Sequence, residues 1–387
     1  MMRVCCDQRE LHRALQLVGR AVPQRPSHPV LSHMLLLADA GGGCLRLTGF
    51  DLEVGIESQV HGEVEQPGMV CLPGRLLMDL VSRLPADGRV TLCGDNGPQV
   101  WLEGGGGQRC LLIGEDAEEY PDLPRLSSGA TQWVAAADVV QGLQGTLYAV
   151  GKPQPDLSPH LGGVRLSIWG EGCEYVATDG LRLAVVRRGA DLDDQGKGIR
   201  ATVPGRALRE LLRLLAGCSA MDQVRVSYWD GLMVWVVGTD VVSCRTLQGE
   251  YPAWDKAMPK RFAQSVKLER EALIAALAFE AAYAVSHSNN VVAVTLLPDA
   301  GRVLLRAETD QGWGEHPLAA EVVTGQSVTV ALNVRYVLDA LRSMACREVW
   351  LQLNGQMGAA VIEPVSEGEA SQRQQALVMP VQIGGAT

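Results

Sequence analysis

The sequence predicts an α+β fold made of three tandem copies of one domain, each with two helices and a set of antiparallel strands. Similar segments begin at Pro73, Pro204 and Asn333, which stand 131 and 129 positions apart. The tripeptide Glu-Tyr-Pro at 119–121 returns 131 positions later at 250–252. Markers that share one register indicate repeated domains. The predicted domain boundaries are 1–128, 129–257 and 258–387.

A third marker is an aspartate that follows a predicted strand in every copy. Asp51, Asp179 and Asp310 lie 128 and 131 positions apart. An aspartate at such a place commonly accepts hydrogen bonds from its own backbone in a turn. We favour the turn over a catalytic or metal site, because equivalent positions in three domains would lie too far apart to act on one substrate.

The pattern of apolar residues predicts the same elements in each copy. The first helix carries apolar residues at spacings of three and four: Leu11, Leu15 and Val18; Val139, Leu143 and Leu147; Leu273, Leu277 and Ala281. Alternating runs broken by glycine predict strands at 45–48, 89–92, 163–168, 223–227, 291–296 and 348–353. The glycine runs 41–43 and 104–107 predict hairpin tips, since neither is placed or followed as a phosphate loop requires.

The second helix of each copy is basic, although the whole chain carries a net charge of -10. The segments 73–85, 204–217 and 333–347 hold eight arginines and three acidic residues, a net charge of +5. Arginines that merely solvate an amphipathic helix are the plainer interpretation for one copy. Recurrence in all three copies favours contact with a polyanion.

Composition excludes several classes of protein. A chain of 387 residues with 47% hydrophobic content suits three domains. Ten scattered cysteines without CxxC pairs predict a reducing, cytoplasmic compartment. No apolar run predicts a signal peptide or membrane span. The seven histidines lack metal-ligand spacing, and no nucleophile motif is present, so the sequence predicts neither metal nor catalysis.

Residues 176–185, with the sequence Val-Ala-Thr-Asp-Gly-Leu-Arg-Leu-Ala-Val, resemble a motif of the bacterial beta sliding clamps, the processivity subunits of replicative DNA polymerases. Further segments match that family in the same order: 26–31, 48–53, 119–121, 333–339 and 378–381. The resemblance covers essentially the whole chain. It implies a homodimer that closes head to tail into a six-domain ring, with helices lining the bore around duplex DNA.

Helix dimensions agree with two chains per ring. Six helices at a spacing of about 9 Å form a circle only about 17 Å across at their axes, too small for a duplex. Twelve helices give about 34 Å and leave roughly 24 Å free. The resemblance also implies a non-catalytic protein without a cofactor, which binds DNA without sequence specificity and tethers the replicative polymerase, clamp loader, repair proteins and translesion polymerases.

The resemblance further implies a partner-peptide pocket, formed by residues from three distant segments. They are Leu161, Thr178, Gly180, Leu181, Arg182, Leu183, Pro252, Ala257, Met357, Leu377, Val378, Met379, Pro380 and Val381. Three positions depart from the family pattern: Leu181 replaces a histidine, Ala257 a larger aliphatic residue and Gln382 an arginine.

Two other sets of residues follow from the resemblance. DNA contacts are expected at Arg25, Arg75 and Arg206, and in the loop that contains Gln154, Ser158, Pro159 and His160. Ring closure is expected to pair Leu112 and its neighbours on an edge strand with Tyr283 and Ala284 on a helix of the third domain, for which burial in the core is the open alternative.

Two alternative functions stay open at this point. One is a non-catalytic peptide-binding scaffold of clamp ancestry that no longer closes into a ring. The remote one is a multidomain metabolic enzyme with a small-molecule site at Asp179.

Overall fold

The structure, a computed structural model, confirms the α+β fold of three tandem copies. It describes residues 2–94, 97–123, 129–152, 158–170, 172–189, 198–286, 290–310, 312–365 and 372–382. Within these residues each copy runs strand, helix, four strands, helix and three strands, with one additional strand in the third copy.

The bounds of the elements show this repeat directly. The first copy contains β1 Met2–Asp7, α1 Gln8–Val18, β2 His33–Asp39, β3 Cys44–Phe50, β4 Val54–Gln66, β5 Gly68–Pro73, α2 Gly74–Ser82, β6 Arg89–Gly94, β7 Gln99–Gly104 and β8 Arg109–Ile113. The second contains β9 Ala130–Ala135, α3 Ala136–Gln144, β10 Gly163–Trp169, β11 Gly172–Thr178, β12 Arg182–Arg188, β13 Gly198–Pro204, α4 Gly205–Leu215, β14 Gln223–Trp229, β15 Leu232–Val237 and β16 Asp240–Arg245. The third contains the short α5 Trp254–Ala257, then β17 Gln264–Glu269, α6 Arg270–Ser286, β18 Val291–Leu297, β19 Arg302–Thr309, β20 Gly312–Ala319, β21 Glu321–Thr324, β22 Val328–Asn333, α7 Val334–Arg342, β23 Glu348–Leu353, β24 Ala360–Pro364 and β25 Gln372–Val378.

The predicted helices and strands are confirmed, with one correction in the second copy. Helix α3 ends at Gln144, so Leu147 lies beyond it in a 3-10 turn. Gly145 stands at the break and approaches Val186 so closely that a Cβ there would meet its side chain at 2.4 Å. Glycine is a poor helix former, which explains why the helix stops before the third apolar position.

The chain forms two compact units, residues 1–137 with 206–246 and residues 138–205 with 247–387. In the first unit a twelve-stranded sheet, counted over the described residues, follows the order β8-β7-β6-β1-β4-β16-β15-β14-β9, with β2, β3 and β5 attached beside it. Strand β16 of the second copy pairs antiparallel with β4 of the first, from Val241↔Glu57 to Cys244↔Val54.

The second unit holds two sheets. The larger follows the order β13-β10-β11-β12-β25-β24-β23-β17-β21, and the smaller the order β20-β19-β18-β22. Strand β12 of the second copy pairs with β25 of the third, from Arg182↔Val378 to Arg188↔Gln372. The middle copy therefore contributes strands to both units, and its boundaries at 129 and 257 stay a prediction.

Helices cover the sheets in the first and third copies. Helix α1 packs on β3 and β4 and buries Leu11, Leu15 and Val18 completely. Helix α6 packs on β18, β19 and β20 and buries Leu273 and Leu277. The ten cysteines are free thiols. None of the helices described is long and apolar enough to cross a membrane.

One carboxylate is buried inside the third copy without full compensation. Glu280 on α6 has no exposed surface. Its Oε2 accepts a hydrogen bond from the Ala307 backbone N–H at 3.2 Å, while its Oε1 has no hydrogen-bond partner among the described residues. Burial raises the pKa of Glu280 above its ordinary value. The folded chain therefore binds the carboxyl proton more tightly than the unfolded chain does.

We expect Glu280→Gln to increase the free energy of unfolding at pH 7 by roughly 1 kcal/mol, because a buried neutral amide costs less than a buried carboxylate. The gain should shrink as the pH falls from 7 to 4, because Glu280 then becomes increasingly protonated in both states. Urea unfolding at both pH values, at one protein concentration, measures this. The control is Glu271→Gln, an exposed carboxylate at the start of the same helix. Equal effects of the two substitutions would contradict the prediction.

Candidate functional site

The Asp179 turn lies between β11 and β12 and is held by its own aspartate. The Asp179 carboxylate accepts hydrogen bonds from the backbone N–H groups of Leu181 at 2.9 Å and Arg182 at 3.0 Å. Gly180 has a φ of +88°, a conformation that favours glycine. Asp51 forms the same turn in the first copy, where it accepts from Glu53 and Val54. The predicted structural role of these two aspartates is confirmed, which leaves the enzyme alternative without a free carboxylate at Asp179.

Arg182 fixes this turn to the third copy. Its Nε donates to Asp179 at 3.0 Å and its Nη1 donates to Asp339 on α7 at 2.7 Å. The guanidinium also lies over the rings of Tyr336 and Tyr148, at 4.4 and 5.5 Å from their centroids. Only 12% of the Arg182 side chain is exposed. A planar cation that meets two carboxylates and two rings in this way orders the site rather than offering a free charge.

Pairing of β12 with β25 brings two distant parts of the predicted peptide pocket together. Leu183 lies opposite Leu377, and Arg182 opposite Val378. Beyond the last pair, the Met379 N–H donates to the Leu181 carbonyl at 2.9 Å. The chain then continues past Pro380, and the Val381 N–H donates to the Ala331 carbonyl at 2.8 Å.

The floor of this region is apolar and buried. Leu183 and Leu377 form a cluster with Val176, Val185 and Val361. Five further side chains pack on that cluster and were missed by sequence reasoning: Tyr251, Trp254, Met258, Phe262 and Ala359. The repeated Glu-Tyr-Pro marker was the available signal for Tyr251. Its hydroxyl donates to the Val176 carbonyl at 3.2 Å, and burial raises its pKa.

Four of the predicted pocket residues are exposed apolar side chains. Leu181, Met357, Met379 and Val381 are exposed by 55, 60, 43 and 37%. Pro252 and Ala257 lie next to Tyr251 and Met258 in the chain. Thr178 donates to the Arg182 carbonyl, and the Leu161 carbonyl accepts from Gly151. The predicted pocket residues therefore all belong to the second unit, where an apolar floor meets a rim of flexible side chains and fixed backbone groups.

The predicted DNA-contacting residues differ in how free they are. Arg25 and Arg75 are exposed. Arg206 is half-exposed but forms ion pairs with Asp51 and, at 3.9 Å, with Glu53. His160 is partly buried, with its ring edge against Tyr251 at a centroid distance of 6.0 Å. Gln154 lies outside the described residues.

The arginines of the three predicted basic segments differ in whether a carboxylate engages them. All eight arginines of the three predicted basic segments are exposed. Arg206 and Arg213 are engaged by carboxylates. The other six form no ion pair among the residues that the structure describes: Arg75, Arg83, Arg209, Arg335, Arg342 and Arg347.

Two of the three residues named for ring closure are buried within their own chain. Leu112 and Ala284 retain 1 and 4% exposure, so their side chains lie in the cores of their own units. Strand β8 is nevertheless an edge of its sheet. Its exposed apolar residues are Leu111 and Ile113, at 40 and 67%, and α6 exposes the apolar side chain of Phe279 at 57%.

Family models match the chain in three consecutive parts. Residues 2–124 match the N-terminal domain of the DNA polymerase III beta subunit, residues 143–253 its central domain and residues 255–382 its C-terminal domain. The beta sliding clamp of Synechococcus elongatus is 37% identical over 383 residues, which cover 99% of this chain and 100% of the relative. The chain belongs to the beta sliding clamp family. The beta sliding clamp of Synechocystis is 35% identical, with 99% of this chain and 100% of the relative covered.

Solved sliding clamps share the fold. The crystal structure of the DNA polymerase sliding clamp from Bacillus subtilis has a TM-score of 0.90 at 22% identity, and covers 99% of this chain and 100% of its own. The clamp from Pseudomonas aeruginosa with ligand has a TM-score of 0.89 at 24% identity, with the same coverage. The three copies of helices and antiparallel sheets are thus the sliding clamp architecture.

We expect Arg182→Lys to lower the free energy of unfolding by about 1 to 2 kcal/mol, because an ammonium cannot reach Asp179, Asp339 and the two tyrosine rings together. Urea unfolding measures the change. The matched control is Arg306→Lys, which also pairs with a carboxylate, Glu308, and a ring, Trp313, but at an exposed position. That control should change stability by less than about 0.5 kcal/mol. Equal losses would show that the buried network adds nothing.

Proposed function

We propose that this chain is a DNA sliding clamp that encircles duplex DNA and tethers the replicative DNA polymerase, so that synthesis is processive. The observation that carries the proposal is membership of the beta sliding clamp family along 99% of the chain. The clamp acts as a cytoplasmic accessory subunit without catalysis of its own. Its further partners are a clamp loader and repair or translesion polymerases.

The charges of the second helices support binding to DNA without sequence reading. Six exposed arginines without described ion pairs stand on one repeated element of an acidic protein. Phosphate contacts by arginine position a protein on DNA but carry no base information, which suits a protein that must slide. Acidic surface elsewhere repels the duplex.

Two copies of the chain form the proposed ring. The contact joins the β8 edge of one chain to α6 of its partner in both directions, as a closed two-fold ring requires. The exposed apolar side chains Leu111, Ile113 and Phe279 support this contact. They are better candidates than Leu112 and Ala284, whose side chains fill their own cores.

The ring predicts topological binding. After incubation with a matched clamp loader and ATP in moderate salt, we expect the protein to stay on nicked circular DNA through gel filtration. It should be lost when the same DNA is linearised, because a closed ring can leave only over an end.

Two controls keep this experiment decisive. A loader shown to be active on another clamp excludes a loading failure. Ile113→Asp, placed at the β8 edge, should reduce retention on circles by weakening ring closure. Equal loss of the unaltered protein from circular and linear DNA would contradict the clamp, and would leave the non-closing scaffold.

Partner proteins bind, in our proposal, through a short apolar peptide at the pocket around Leu181 and Met379. The buried floor of Leu183 and Leu377 and the methionine rim support this role, because methionine adapts to different apolar side chains. Leu181 at the histidine position keeps the rim apolar.

Met379→Asp should weaken binding of a synthetic leucine- and phenylalanine-containing peptide at least tenfold, since a carboxylate would be desolvated by the apolar ligand. Fluorescence anisotropy of the labelled peptide gives the affinity. The matched control is Met221→Asp, which changes the same residue type at a position that is 84% exposed in the first unit. Equal weakening by both substitutions would place the peptide elsewhere.

A further inference from the structure

A cavity of about 690 Å³ in the first copy takes no part in the functions described so far. Its wall is formed by the 3-10 turn at Pro29–Ser32, the exposed side chain of Leu52 and Pro121. Carboxylate residues Glu115, Asp116 and Glu119 line it as well. Its volume lies within the range of roughly 300 to 1,000 Å³ that ligand sites occupy.

The cavity stands in the first copy where the peptide pocket stands in the second. Leu31, Leu52 and Pro121 line it. Counterparts of these three residues stand 130, 128 and 131 positions later, at Leu161, Gly180 and Pro252. All three counterparts belong to the predicted peptide pocket. The Pro29–Ser32 turn likewise returns as the 3-10 turn Pro159–Gly162.

The turns at the two places have the same backbone. The Asp51 carboxylate accepts hydrogen bonds from the N–H groups two and three residues ahead, at 3.0 and 2.7 Å. Asp179 does the same at 2.9 and 3.0 Å. The repeated fold thus forms the same aspartate-fixed turn in both copies.

The two aspartate-fixed turns differ most at the position of Leu52. It has a φ of +77°, the region that glycine occupies at the equivalent turn position in the second copy. A branched side chain is strained there, and a strained residue that lines a cavity indicates a functional demand on its side chain. Leu52 is 43% exposed, so the strain is not accounted for by burial in the core.

The charge of the cavity differs from that of the second pocket. Glu115, Asp116 and Glu119 form no ion pair among the described residues, and the neighbouring Glu118 adds a further carboxylate. At the second pocket, Arg182 is instead neutralised by its ion pairs with Asp179 and Asp339. An occupant of the first cavity must therefore present apolar surface to Leu52 and Pro121, and positive charge to the carboxylates.

We propose that the first copy carries a second peptide-binding site, selective for a short segment of another protein with a bulky apolar side chain beside arginine or lysine. The site requires neither ring closure nor binding at the pocket around Met379. One pocket that is acidic and one that is apolar would let one chain hold two partners that do not compete.

Two labelled synthetic peptides test this proposal. Both contain Leu-Phe, which is flanked by arginines in one and by glutamates in the other. Anisotropy titrations are run on the full chain carrying Met379→Asp, so that the second-copy pocket does not contribute. We expect the arginine peptide to bind at least tenfold more tightly than the glutamate peptide.

Variants locate the binding. Glu115→Gln with Glu119→Gln should weaken the arginine peptide at least fivefold, and Leu52→Gly at least threefold, since glycine removes the apolar wall and suits the turn. Leu52→Gly leaves every charge in place, so its effect separates a cavity from general attraction.

The matched control is Glu10→Gln with Asp79→Asn, which removes two exposed charges elsewhere in the same unit. It should change the affinity less than twofold. Equal weakening by both charge pairs, or no effect of Leu52→Gly, would show that the peptide follows net charge alone and would overturn the proposal. Retention on circular DNA is a separate readout, so failure here leaves the clamp function intact.

Discussion

Antiparallel pairing between strands of neighbouring copies is the interaction on which the rest of this structure depends. Strand β16 of the second copy extends the sheet of the first through β4. Strand β25 of the third copy likewise extends the sheet of the second through β12. Each junction satisfies backbone groups that a separate domain would leave at an open edge, where they invite wrong partners. Neighbouring copies are thereby joined by shared sheets.

Each junction also contains one charged group that is bonded to the neighbouring copy. At the first, Asp240 is 5% exposed, and it accepts from Ser58 at 2.5 Å and from Arg13 at 3.0 Å. At the second, Arg182 joins its own turn to Asp339. Buried charges that are fully paired fix the register of the elements they join, because any slip would leave a charge uncompensated. The proposed peptide pocket depends on this register, since the β25 pairing brings the Met379 N–H to the Leu181 carbonyl.

Local elements of the fold could be predicted from the sequence, but their partners could not. The alternating run 348–353 predicts β23 to the residue, and the apolar stripe of Leu11, Leu15 and Val18 predicts α1. Periodicity reports which face of an element is buried, not which strand pairs beside it. Arg206 shows the same limit within the candidate DNA surface. The turn at Asp51 was predicted correctly, but the ion pair between Asp51 and Arg206 was not, because the two residues lie far apart in the sequence.

The repeated Asp turn explains how one fold can hold surfaces of different character. Its backbone is fixed by a carboxylate that bonds to its own chain, so the turn keeps its shape although the two residues between the aspartate and the next strand differ between the copies. The second copy places Gly180 and Leu181 there, and the first places Leu52 and Glu53. The backbone geometry of the turn is therefore the same in both copies, while the polarity of its side chains differs. At these turn positions no hydrogen bond between strands and no core contact depends on the side chain. Substitutions there can change which partners bind while the shared sheets stay intact.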